Sequence, residues 1–160
     1  MSIERARTYL DGFGYANKIR EFTVSSATVA LAAAALGCDE ARIAKTLSFV
    51  VNEICILIVT AGDAKVDNAR YKARFHAKAK MLAFEDVEAL IGHAVGGVCP
   101  FGVNDGVKVY LDESLRRFET VFPACGSANS AIELTINELE KLSRFESWVD
   151  VCKAWHPEEV

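Results

Sequence analysis

Two apolar, β-branched runs, residues 47–51 and 54–59, are separated by only Asn52-Glu53. Two residues between such runs leave room for a tight hairpin and little else. Asn-Glu is a poorer turn pair than Asn-Gly, so the pairing must come mainly from the strands themselves. The second run, Ile-Cys-Ile-Leu-Ile-Val, hardly alternates between apolar and polar residues. Both of its faces are therefore expected to be covered, with Cys55 an inert core thiol. A chain carrying this hairpin is committed to a sheet packed on both sides.

The rest of the chain supplies the layers. Ile3, Ala6 and Leu10 recur at helical spacing, and Gly12 and Gly14 stop that helix. Ser25 and Ser26 are candidate N-caps for an alanine-rich helix over 28–36 that Gly37 ends. Asp39 is placed to cap a short turn that carries Lys45 at its end, just before the hairpin. Further on, the pattern predicts helices at 68–75 and 87–91, and strands at 78–82, 107–111 and 120–124. Residues 126–130 turn into a stretch at 131–134, and the capping box Thr135-Ile-Asn-Glu138 opens a helix to Leu142. Strands and helices mix without a steady βαβ rhythm, which favours an α+β fold. Residues 1–160 show no repeat or linker and are expected to form a single domain of α+β class.

The chain has 18 basic and 22 acidic residues, a net charge of −4, so nothing draws it generally toward nucleic acid. A polyanion contact would have to be local, and one segment fits. Lys65, Arg70, Lys72, Arg74, Lys78 and Lys80 are opposed over that stretch only by Asp67. A solvated helix face and a phosphate-backbone contact are both consistent with such a run, and salt dependence separates them. No apolar run is long enough to span a membrane, and no apolar signal region follows the first residues. Five scattered cysteines, with no Cys-x-x-Cys, point away from disulfides and toward a reducing cytoplasm.

Catalytic motifs are sparse. The segment Gly96-Gly97-Val98-Cys99-Pro100 can offer backbone N–H groups to an oxygen, but it is neither a Walker loop nor a dinucleotide fingerprint. Cys99 as a nucleophile needs a base, and the histidines are His76, His93 and His156. His93 lies beyond a helix stop, so spacing does not support a dyad. The same histidines lack metal-ligand spacing, and no Gly-x-Ser-x-Gly elbow is present.

Five segments together resemble one family, the YbaK and prolyl-tRNA-synthetase-associated editing domain. They are Ala44-Lys45-Thr46-Leu47, Ala61-Gly-Asp-Ala-Lys-Val-Asp67, Ile91-Gly-His-Ala-Val-Gly-Gly-Val-Cys-Pro-Phe-Gly102, Val109-Tyr-Leu-Asp112 and Cys125-Gly-Ser-Ala-Asn-Ser-Ala-Ile-Glu-Leu134. They occur in the family's order and run through most of the chain. The resemblance implies a mixed, partly barrel-like sheet flanked by helices. It implies trans-editing, the hydrolysis of the ester joining a small wrong amino acid to tRNA, frequently tRNA for proline.

On that resemblance Lys45 matches the family's functional lysine, and Gly97 and Val98 are candidate donors to the ester carbonyl or a water. Gly96, Cys99, Pro100, Phe101, Gly126 and Ser127 are the implied substrate-binding residues. Lys65, Arg70, Lys72, Arg74 and Lys78 would meet the tRNA. Aminoacyl-tRNA is the expected partner, with an aminoacyl-tRNA synthetase as a second; no cofactor, metal, membrane or DNA is expected. Cysteine-editing members carry arginines in the late glycine loop, where this chain reads Cys125-Gly-Ser-Ala-Asn-Ser130. Alanine-editing members carry a late pocket histidine, which 94–155 lacks. Alanine, cysteine, serine and other small residues all stay open as the residue removed. The alternatives are a non-catalytic tRNA- or synthetase-binding module of the same fold, and a small-ester hydrolase using Cys99.

Overall fold

The computed structural model describes residues 2–155. In chain order the helices are α1 (Ser2–Asp11), α2 (Val29–Leu36), α3 (Asn68–Phe75), α4 (Val87–Ile91) and α5 (Ile136–Ser143). The strands are β1 (Arg20–Glu21), β2 (Ile43–Val51), β3 (Ile54–Ala61), β4 (Lys65–Val66), β5 (Lys108–Asp112), β6 (Thr120–Pro123), β7 (Ser130–Ala131), β8 (Leu134–Thr135), β9 (Ser147–Val149) and β10 (Cys152–Lys153). Six strands form one curled, half-barrel sheet in the order β8-β6-β2-β3-β5-β9. Only β2–β3 and β6–β8 are antiparallel in it; the other neighbours run parallel. The class is α+β, with a mixed sheet. No helix among the described residues is long and apolar enough to cross a membrane.

The β2–β3 hairpin is the centre of the sheet. Asn52 and Glu53 both take left-handed φ, 49° and 68°, the backbone of a type I′ turn without its usual glycine. Eight cross-strand pairs, from Ala44↔Ala61 to Val51↔Ile54, hold that turn in register. Residues 56–61 are buried throughout, since β2 and β5 flank β3 in the sheet. Cys55 departs from expectation: it sits next to the turn and is only half-buried, not a sealed core thiol. The main core runs from Ala6 and Leu10 of α1 to Val151 and Cys152, with Phe49, Tyr71 and Phe75 in ring contact within it.

Several local expectations need correcting. Strand β2 begins at Ile43, not 47, because Ile43 and Ala44 pair with Phe122 and Pro123 of β6. Lys45 is therefore a strand residue rather than the end of a helical turn. Asp39 precedes a short 3₁₀ turn without a side-chain cap bond. Thr28 itself, not Ser25 or Ser26, caps α2, accepting from Leu31 N–H at 3.2 Å. The strand expected at 78–82 is reduced to one bridge, Phe49↔Met81, and the stretch at 131–134 contains a break between β7 and β8. The capping box at Thr135 and Glu138 forms as expected.

Candidate active site

Lys45 is the third residue of β2 and lines a cavity of about 460 Å³. The cavity lies among the start of α2, the outer edge of β2 and the glycine loop. Val29, Ala32, Ile43, Val87 and Phe122 give it an apolar wall, and its lining includes no carboxylate and no imidazole. Gly96 and Val98 line the same space. Strand and loop thus bring together a lysine and a main-chain segment that are far apart in sequence.

The Lys45 ammonium is poorly compensated. Its nearest acceptor is the Gly62 carbonyl, a long contact of 3.4 Å. Burial pushes its pKa below the usual lysine value, Cys152 and Asp63 pull it back up, and the charge of Lys65 lowers it further. Asp63 does not pair with it, because that carboxylate is held by Arg117, at 2.9 and 2.5 Å. The hydrogen bond from Arg117 also depresses the Asp63 pKa. Lys45 therefore presents a positive head whose local carboxylate already has another partner.

The loop donors divide. Gly97 N–H donates to the Ala94 carbonyl at 3.0 Å, so it is already engaged. Val98, beside it in the cavity wall, has no backbone partner among the described residues and remains the available amide of the two. Gly97 has another role. A Cβ there would lie 2.4 Å from Ser127 N and 2.5 Å from the Gly126 carbonyl carbon, so the two loops meet main chain to main chain. Gly126 and Ser127 stand behind the wall rather than in it, with Ser127 Oγ 2.8 Å from Ser130 Oγ; it is Ser130 that reaches the cavity.

Cys99, Pro100 and Phe101 do not line the cavity. Cys99 and Phe101 are fully buried, and Pro100 faces a separate cleft with Arg5 and Tyr9. Spacing offered no reason to pair Cys99 with His93, yet Cys99 Sγ lies 3.5 Å from His93 Nε2. The pair is not built as a nucleophile and base. Burial pushes the Cys99 thiol up to about 12. His93 Nε2 sits 2.6 Å from the Phe101 carbonyl, so that nitrogen carries the hydrogen and donates it.

The basic segment is also divided. Arg70 pairs with Asp150 at 3.3 Å, and Lys153 reaches Asp67 at 3.8 Å. Arg74 donates to Ser147 Oγ at 3.0 Å and lies over the rings of Phe75 and Tyr110. Lys72 and Arg74 occupy the last turn of α3, where cations favour the helix dipole. Lys65, Lys72, Lys78 and Lys80 are exposed. His76 is the left-handed cap of α3, and His156 lies outside the described residues.

Sequence reasoning missed two polar features of the cavity. Between Ala44, paired with β6, and Ser48, whose carbonyl accepts from Leu82 N–H at 3.2 Å, the outer edge of β2 is uncovered. Ser26 Oγ and Thr46 Oγ1, both on residues lining the cavity, are buried without a hydrogen-bond partner.

Comparison with known proteins bears on the family and the fold. Residues 23–142 match the model of the aminoacyl-tRNA editing domain. The uncharacterized protein YwhH of Bacillus subtilis (strain 168) is 51% identical over 156 residues, 97% of this chain and 99% of its own. EbsC of Enterococcus faecalis (strain ATCC 700802 / V583), provisionally named a Cys-tRNA(Pro)/Cys-tRNA(Cys) deacylase, is 32% identical over 104 residues, 64% of this chain and 63% of its own. A crystal structure provisionally described as a trans-editing enzyme for prolyl tRNA synthetase superposes with a TM-score of 0.85 at 29% identity, covering 95% of this chain and 97% of that one. With most of its length matched in both sequence and fold, the chain belongs to the aminoacyl-tRNA editing domain family.

Proposed function

We propose that the protein is a trans-editing deacylase that hydrolyses a small mischarged amino acid from tRNA, with tRNA for proline as the first candidate. The observation that carries this reading is the shared cavity of Lys45 and Val98, in which the ammonium has, among the described residues, only a long contact to the Gly62 carbonyl. An aminoacyl ester is already activated, so positioning and preorganised dipoles are enough to speed its hydrolysis. Water adds to the ester carbonyl, the bond to the ribose oxygen breaks, and that oxygen leaves with a proton. Val98 N–H, which has no partner among the described residues, is the donor for the oxyanion formed on the way. Lys45 meets negative charge, either that oxyanion or the terminal phosphate.

The apolar wall of Val29, Ala32, Ile43, Val87 and Phe122 is the surface that the removed residue's side chain would meet, and a small residue is the reading the family resemblance supports. Lys65 is exposed and its charge acts on Lys45, which supports an acceptor stem approaching from the Lys65 side.

The test is a panel of aminoacyl-tRNAs incubated with the purified protein. Hydrolysis of a small-residue ester, lost by about a hundredfold or more in Lys45→Ala and retained in Cys99→Ser, is the expected result. Tight tRNA binding without turnover of any ester would instead make it a binding module.

A further inference from the structure

The uncovered edge of β2 points to how a ligand is oriented. The β2–β3 register is unbroken from Ala44↔Ala61 to Val51↔Ile54, so backbone direction alternates strictly along β2. Leu82 N–H donates to the Ser48 carbonyl, and Val50 N–H donates to the Lys80 carbonyl. Even-numbered residues of β2 thus turn their N–H and C=O groups away from β3, toward its outer edge. Strand β6 covers that edge only at Ile43 and Ala44. Thr46 N–H, Thr46 C=O and Ser48 N–H are left without partners among the described residues. Residues on both sides of the gap, Ala124 beyond β6 and Met81 and Leu82 at the bridge, line the same cavity as Thr46. Thr46 Oγ1 is unpartnered there as well.

A donor and an acceptor on one residue are what an opposing residue in an antiparallel ladder satisfies. The occupant must therefore bring both kinds of group, which a phosphate cannot do: its acceptors would leave the Thr46 carbonyl unmet. An α-aminoacyl group brings both, an ammonium and an ester carbonyl one Cα apart. The cavity lining has no carboxylate to take the ammonium, so a main-chain carbonyl must take it. Lys45 repels it from its own end of the cavity.

We propose that the gap in β2 seats the α-amino group of the aminoacyl ester: Thr46 C=O accepts from the ammonium, while Thr46 N–H faces its ester carbonyl oxygen, with Ser48 N–H at the end of the gap beside them. The aminoacyl residue then sits as a one-residue strand on the sheet edge. This rests on the deacylase reading and adds a substrate requirement to it, a free α-amine. N-acylated esters, including peptidyl esters, are excluded because acylation removes the charge and places bulk against the strand.

The test uses ¹⁵N-labelled wild-type protein and two non-hydrolysable probes, 3′-alanylamido-3′-deoxyadenosine and its N-acetyl derivative. The free-amine probe is expected to shift the Thr46 and Ser48 amide resonances, and N-acetylation to weaken binding at least tenfold. Equal affinity for both probes, shifts confined to other residues, or no binding at millimolar probe would overturn the proposal. Because this readout is binding, it is separate from the tRNA panel. A protein that turns over no ester still gives a result here. Thr46→Val deletes the hydroxyl and keeps the main chain, so the N-acetyl discrimination should persist in it; its loss would assign the discrimination to the hydroxyl and overturn the main-chain assignment.

Discussion

Cys99 Sγ lies 3.5 Å from His93 Nε2, the spacing of a nucleophile and its base, yet both residues are fully buried. The nitrogen facing the thiol already donates to the Phe101 carbonyl, and burial keeps the thiol protonated up to about 12. Reactive cysteines have lowered pKa values and exposure, and this one has neither. Cys99→Ser should therefore keep its deacylation rate within a few-fold. Cys99→Ala should cost about 1–2 kcal/mol of stability through lost packing, measured by urea unfolding. A hundredfold rate loss in Cys99→Ser would revive a covalent mechanism.

His93 also makes stability depend on pH. Burial lowers its pKa below the ordinary value, and its Nδ1 has no partner. Between the folded and unfolded pKa values the unfolded chain binds more protons, so stability rises with pH there. The contribution is complete above about pH 6.5 and is lost below it, with a slope of at most about 1.4 kcal/mol per pH unit. Urea midpoints measured from pH 7.5 to 5 should show this loss, and His93→Leu should flatten it.

Gly97→Ala should separate the two cavity loops. The new Cβ would meet main-chain atoms of Ser127 and Gly126 at 2.4–2.7 Å, and backbone cannot swing aside as a side chain can. Overpacking of this kind costs about 1–3 kcal/mol, and displacement of the neighbouring Val98 should lower kcat at the same time. Gly106→Ala is the control: it carries the strain of φ +90° but meets nothing within 4 Å, so it should lose stability without losing rate.

Lys45→Met should be more stable and inactive. The wild-type ammonium is half-buried against a long carbonyl contact, and its pKa is lowered chiefly by that burial. Removing the charge relieves the desolvation, for a gain of about 0.5–1 kcal/mol in thermal unfolding once solvent screening is discounted. Lower stability in this variant would show that the charge has a structural role.

Lys72 and Lys78 are the sharper test of a tRNA contact, since Arg70 and Arg74 have partners within the fold. Replacing both lysines by Ala should weaken tRNA binding and lower the salt slope by about 1–2. An unchanged slope would leave the lysines as solvated surface.

The hairpin was legible because both of its strands and its turn lie within one short window. The helix stops at Gly37 and Gly92 and the capping box at Thr135 were legible for the same reason. The first residue of β2 was not, because Ile43 becomes strand only through Phe122 of β6, which sequence periodicity cannot place beside it. The same limit concealed the Arg70–Asp150 pair and the contact of Arg74 with Ser147. At the site, Lys45 and Val98 were found through family motifs. The division of labour between Gly97 and Val98 depends on one hydrogen bond to Ala94, and the unpaired edge at Thr46 depends on where β6 stops.

Gly97 and Ser127 touch through their backbones, with no side chain between them to act as a bearing. The two loops are thus geared together: neither can lengthen or slide without carrying the other along. A chain with a differently shaped cavity would have to change side chains along α2 and β2, leaving the loop pair itself as the inherited frame.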